Sequence, residues 1–222
     1  MAVAAAREPS MPTLTGVLPD AEPILLLSWR EPFDGADWMF EPKYDGFRAL
    51  LYASRDGCEL RARRDGHFES FAELCERIGR ILVGREVILD GEIVSLDPKG
   101  KPVFRELLKG RGYLAFAASD LLWLDGVDLR MEPLAERKRR LAELLPTDTG
   151  PLYKVFTLHE HGRALFQAAR RMDLEGIVAK RRQDRYLPET LWYRIRNPAY
   201  RQGEGRVDLA QRPARSRREA AE

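Results

Sequence analysis

The chain has 222 residues, is 44% hydrophobic and 32% charged, and sets 37 Lys+Arg against 35 Asp+Glu. That is apolar material for one good-sized domain with extensions, and so even a charge balance leaves the partner to be read from where charges sit. No apolar run approaches the ~20 residues that span a bilayer, no secretory signal opens the chain, and Cys58 and Cys75 lack the spacing of a zinc or disulfide framework. A cytoplasmic, nucleoid-associated protein without a membrane partner is the expectation.

Residues 1–22, rich in Ala and Pro and without a period, read as a flexible leader. Residues 23–27 are a short buried strand or an extended packing arm. Residues 38–43 and 46–54 are apolar and aromatic and read as strands flanking a tight Tyr44-Asp45-Gly46 element. Residues 58–64 alternate, with Leu60 and Ala62 against Glu59, Arg61 and Arg63, as a half-buried strand does. Ser70 is placed to cap a helix running to Leu82, with Phe71, Leu74, Ile78 and Ile81 at helical spacing. Residues 86–96 and 113–124 are strands by composition. Pro133 opens a helix that carries Arg137-Lys138-Arg139-Arg140 and ends near Pro146. A strand at 152–156, a helix at 160–172 and strands at 175–181 and 191–196 follow. The order is strand-rich with single helices inserted, which predicts an α+β domain over 23–200 with mainly antiparallel sheets and flanking helices. Residues 201–222 are Arg-rich and read as a disordered tail.

Six segments carry chemistry. They are Glu41-Pro42-Lys43-Tyr44-Asp45-Gly46-Phe47-Arg48, Arg63-Arg64-Asp65-Gly66, Asp90-Gly91-Glu92, Asp120 to Gly126, Glu175-Gly176-Ile177-Val178-Ala179-Lys180, and Trp192-Tyr193-Arg194-Ile195-Arg196. Strand alternation puts Asp90 and Glu92 on one face, and likewise Arg194 and Arg196. In this order the segments resemble the covalent nucleotidyltransferases, and most closely the ATP-dependent DNA ligases, in particular the ligase domain of bacterial end-joining enzymes, over residues 20–200.

The resemblance implies a nucleotidyltransferase (ATP-grasp-like) core that uses ATP with Mg²⁺ or Mn²⁺. It implies that Lys43 forms lysyl-AMP, with Asp45 beside it in the motif and Glu41 near the adenine. Arg48 and Glu92 would lie by the ribose, Arg64 would contact phosphate, and Glu175 would face the nucleotide or metal. An attacking lysine must be neutral against an ordinary pKa of about 10.4, a cost of roughly 4 kcal/mol near neutral pH. Burial and nearby cations, here Arg194, Arg196 and a metal, favour the neutral form. Asp90, Glu92 and Glu175 offer oxygen ligands to that metal together with ATP phosphates. Arg63, Arg64 and Lys180, with the basic runs at 61–64, 137–140 and 180–185, are candidates for contact with a nicked or broken DNA duplex.

Three departures from the family pattern stand out. Ser119 replaces an aromatic that stacks on adenine, and Phe116, three residues away, points to the other face of a regular strand. Arg194 and Arg196 replace lysines. About twenty residues follow the last strand, without the OB-fold clamp of ligases. The expected protein is a monomeric adenylyltransferase core, with a separate protein supplying the clamp or end binding. An RNA end-joining ligase and a catalytically weakened DNA-binding scaffold are the alternatives.

Overall fold

Residues 18–62, 68–146 and 150–201 are described in a computed structural model, in which two sheets face each other across a shared core. The larger sheet has the order β4 (Gly57–Arg61), β3 (Phe47–Ser54), β5 (Val87–Leu96), β6 (Tyr113–Leu124) and β7 (Val127–Asp128), with β8 (Leu152–Lys154) added parallel to β6. The smaller has the order β1 (Leu26–Trp29), β11 (Trp192–Arg196), β10 (Gly176–Arg181), β2 (Trp38–Lys43) and β9 (Leu158–His159). Apart from β6–β8 and the edge pair β1–β11, neighbouring strands run antiparallel, as the α+β expectation required.

β3 and β5 are apolar on both faces because both faces are covered. On one, Leu51, Leu89 and Ile93 pack under Leu74 and Ile78 of α1 (Ala72–Ile81) and Phe104 and Leu107 of α2 (Phe104–Leu108). On the other, Leu50, Tyr52 and Ile88 meet Met39 and Trp192 of the smaller sheet. Each such side chain contributes roughly 1.5–3 kcal/mol by leaving water. α3 (Leu134–Leu144) packs beside β6, and α4 (Gly162–Arg171) lays Leu165, Phe166 and Ala169 over Phe40 and Ile177 on the outer face of the smaller sheet.

The differences from the sequence reading are local. Ser70 caps nothing: a 3₁₀ turn at Glu69–Phe71 precedes α1, and Phe71 is its N-cap. Pro133 precedes α3 as its cap residue with an extended ψ of 146°, rather than forming its first turn. The arm expected at 23–27 gives way to the edge strand β1 at 26–29, which is mostly exposed rather than buried. α2, β7 and β9 were not foreseen, being too short to carry a period. In β6, Asp120 pairs with Asp90 but Ala118 with Gly91, so Ser119 is the extra residue of a bulge. Residues 1–17 of the leader expected over 1–22, the strand end at 63–64 and residues 202–222 of the tail expected over 201–222 lie outside the described residues. Among the described residues no helix is long and apolar enough to cross a membrane.

Candidate active site

Sheet register assembles the site. On β10, Gly176 pairs with Lys43 on one side and Arg196 on the other, and Val178 pairs with Glu41 and Arg194. Directly opposed residues share a face, so Glu41, Lys43, Arg194 and Arg196 all lie on the side turned toward the larger sheet. That sheet answers with Arg48 opposite Glu92. Two glycines permit this spacing. A Cβ on Gly46 would stand 2.2 Å from the Ile93 carbonyl oxygen, and one on Gly176, at φ +147°, 2.0 Å from that of Ile195.

Lys43 ends β2 inside the cleft. Its Nζ donates to Glu175 Oε2 at 2.6 Å, with 14% and 9% of the two side chains exposed. Glu92 sits in the same recess. Burial pushes its carboxyl above the usual glutamate range, Lys43 and Arg48 oppose that push, and Glu175 and Asp90 add to it. Asp45, buried, accepts from the Tyr200 hydroxyl at 2.9 Å.

Arg48 grips Asp90 through both Nε (2.5 Å, to Oδ1) and Nη2 (to Oδ2), and the Tyr186 hydroxyl donates to the same Oδ2 at 2.8 Å. Burial works against the Arg48 charge, but Asp90 outweighs it and raises the guanidinium pKa. Glu41 is buried between Lys138 and Lys180, the latter 2.8 Å from Oε2. Burial pushes the Glu41 carboxyl up, yet the two lysines hold it below its ordinary value. Lys180 also lies over the Trp192 ring at 4.2 Å and points at the Ser119 carbonyl at 3.4 Å.

A small recess of about 40 Å³ is lined by Glu41, Lys43, Arg48, Glu92, Ser119 and Lys180 among others. It adjoins a wider hollow of about 530 Å³ between Lys138, Tyr153 and Phe156, the two sharing Tyr44 and Val155. Of the two, the smaller is lined by Lys43 and Glu92.

A family model described as the ATP dependent DNA ligase domain matches residues 28–196. The chain belongs to this family. The ligase domain is 36% identical over 155 residues to the multifunctional non-homologous end joining protein LigD of Mycobacterium bovis, covering 69% of this chain and 20% of that protein. It is 31% identical to a DNA ligase of Pyrobaculum islandicum, over 66% of this chain and 28% of the relative. The chain thus spans between 18% and 33% of the length of such end-joining relatives. A structure of mycobacterial DNA ligase D complexed with ATP and MES superimposes with a TM-score of 0.66 at 29% identity, over 79% of this chain and 60% of the other.

Within the ligase domain, Glu41, Lys43, Arg48, Glu92 and Glu175 converge, and Arg194 and Arg196 share their face. Arg196 is exposed, whereas Arg194 donates from Nε to Ser28 Oγ at 3.1 Å. Asp90 does not serve as a free metal ligand, because Arg48 and Tyr186 occupy its two oxygens. Among the described residues no group of three or more His, Cys, Asp and Glu is arranged to hold a metal. Of the other two expected metal ligands, Glu92 lines the recess and Glu175 Oε2 accepts from Lys43. Lys180, 2% exposed, is committed to Glu41 and Trp192 and cannot reach a duplex. Arg63 and Arg64 lie outside the described residues.

The basic run of α3 is also corrected. Arg137 is fully buried, with Nε and Nη2 on Asp120 at 2.9 and 2.7 Å, and Lys138 serves Glu41. Arg139 and Arg140 pair with Glu136 on the surface, at 2.6 and 2.9 Å. One signal was available: Leu134, Arg137, Lys138 and Leu141 share the buried stripe of the helix, so two charges interrupt an apolar face. Tyr186 and Tyr200 gave no comparable signal. Phe116 packs into the core under α1 and α2, away from the recess, and Ser119 Oγ donates to the Asp90 carbonyl at 3.2 Å.

Proposed function

We propose that this domain performs the adenylyl-transfer chemistry of DNA nick or break sealing: Lys43 takes AMP from ATP and passes it to a DNA 5′-phosphate. The observation that supports it most directly is Lys43, in a mostly buried recess, hydrogen-bonded to Glu175 with Glu92 and Arg48 beside it.

In the first step the Lys43 amine attacks the α-phosphorus. An N–P bond forms, the bond from the α-phosphorus to the bridging oxygen breaks, and pyrophosphate leaves with the electron pair. The lysine sheds two protons on the way from ammonium to phosphoramidate. Glu175, at 2.6 Å, is the base within reach of the first, and the second passes to solvent. Glu92 and Glu175 would hold a divalent metal together with phosphate oxygens, and the metal would supply positive charge against the triphosphate. Arg196 adds fixed positive charge on the same face, where negative charge grows on the leaving group. Glu41, kept anionic by Lys138 and Lys180, offers an acceptor to the exocyclic amine of adenine. In the second step the phosphoramidate bond breaks as a DNA 5′-phosphate oxygen takes the AMP, which returns the Lys43 amine.

The partner in this reading is a nicked or broken duplex met in the cytoplasm by a monomer. Incubation with α-labelled ATP and Mg²⁺ or Mn²⁺ tests the chemistry. Acid-labile label on the wild type and none on Lys43→Ala is the expected result. An unlabelled wild type, or a labelled Lys43→Ala, overturns it. Pre-adenylated nicked DNA sealed faster than pre-adenylated nicked RNA assigns the substrate.

A further inference from the structure

Tyr200 lies after β11, outside every segment that carries the adenylation chemistry, yet it reaches back to the loop of the nucleophile. Its hydroxyl donates to Asp45 Oδ2 at 2.9 Å, two residues beyond Lys43. Burial first, and then Asp45, push that hydroxyl well above the usual phenol range, so it remains a donor across the working pH range.

The segment that carries Tyr200 is stitched to a second loop of the site. The Asn197 backbone N–H donates to the Glu175 carbonyl at 2.9 Å, and its side-chain amide donates to the Leu174 carbonyl at 3.0 Å. The Arg201 N–H donates to Asp173 Oδ1 at 3.1 Å, and Lys101, from the turn after β5, reaches Asp173 Oδ2 at 3.0 Å. Residues 197–201 thus hold the Asp173–Glu175 loop with one hand and Asp45 with the other. The two loops they join supply the two ends of the Lys43–Glu175 contact.

We propose that Tyr200 is a positioning residue for Lys43: through Asp45 it sets the distance between the loop bearing the nucleophile and the loop bearing Glu175. The proposal rests on the adenylation reading. In this role Tyr200 acts on geometry, through its hydrogen bond to Asp45. A displacement of the amine by a fraction of an ångström leaves ground-state nucleotide contacts through Arg48 and Glu41 largely intact while spoiling in-line attack.

The test is Tyr200→Phe, which removes one oxygen and keeps the ring. The rate of lysyl-AMP formation is expected to fall about 10-fold with the KM for ATP within about 2-fold of wild type. In an Asp45→Asn background the same substitution should cause no further loss, since the hydroxyl acts through that carboxylate. Hydrogen exchange supplies a readout independent of activity: amides at 44–46 and 174–176 should exchange faster in Tyr200→Phe, with β5 and β6 unchanged. An unchanged rate, an additive loss with Asp45→Asn, or faster exchange throughout β5 and β6 would each overturn the positioning role. If the wild type itself takes no label, the adenylation reading fails, and the exchange measurement still decides whether Tyr200 sets the loop.

Discussion

Tyr186 donates its hydroxyl to Asp90 at 2.8 Å, on the same carboxylate oxygen that Arg48 Nη2 holds. A residue in the loop between β10 and β11 of one sheet thereby fixes an arginine on β3 of the other. Tyr186 also accepts the Ile24 N–H at 3.3 Å and meets Trp192 edge-on at 5.7 Å. Arg48 therefore faces the recess with its rotamer decided in advance.

Tyr186→Phe should lower stability by about 1–3 kcal/mol, the cost of leaving a buried charged acceptor short of a donor. It should also raise the KM for ATP as Arg48 loosens. Urea unfolding and adenylation kinetics check the two halves, and unchanged values in both refute the coupling.

The Arg137–Asp120 pair is wholly out of solvent, at 0% exposure for each side chain. Arg137→Met leaves the buried Asp120 carboxylate with the Leu121 N–H but without its paired guanidinium, and should cost about 3–5 kcal/mol. Adding Asp120→Leu should recover much of that loss, because an apolar pair of similar volume needs no counterion. A double variant as unstable as the single one would show that the pair stabilises by more than mutual compensation.

Lys180 offers a contrast between two roles. Replacing it with Met should destabilise the domain by about 1.5–3 kcal/mol, through the lost charge-assisted bond to Glu41. The salt dependence of DNA binding should not change, since each phosphate contact contributes about 0.9 to the slope and Lys180 makes none. A slope reduced by about one unit would put Lys180 on the DNA after all.

Glu92 sets a pH dependence. Its folded pKa lies above the ordinary 4.5, with burial the leading cause, so the folded state keeps the proton to higher pH than the unfolded chain. Stability contributed at this position is present below the unfolded value and declines as pH rises from there through the raised folded value. Glu92→Gln should match the wild type in the acid and be the more stable of the two near neutrality, while adenylation falls. Unfolding curves measured from pH 4 to 8 decide it; parallel stability profiles would contradict the raised value.

Chelation separates chemistry from folding. With no preformed metal cluster among the described residues, EDTA should stop label transfer and leave the melting temperature unchanged. A large drop in melting temperature would reveal a structural ion.

The elements β2 and β6 have the bounds that composition and alternation predicted, Trp38–Lys43 and Tyr113–Leu124. Alternation also put Arg194 and Arg196 on one face, because strand periodicity is a local property of the chain. The ordered motifs named the family for the same reason: they are short and readable in place. What packs against those faces was not readable. Lys43 and Glu175 are 132 residues apart, Asp90 and Tyr186 are 96 apart, and Arg137 reaches Asp120 across 17. A basic run looks the same on paper whether it faces solvent or a buried carboxylate. The free energy of a charge depends on its desolvation and its nearest counterion, and both are created only when separate elements close on one another. The sequence by itself determined the α+β class and the family, through motifs that are short and local. Only the tertiary structure decided that Asp90 serves Arg48, that Lys138 and Lys180 serve Glu41, and that Tyr200 holds Asp45.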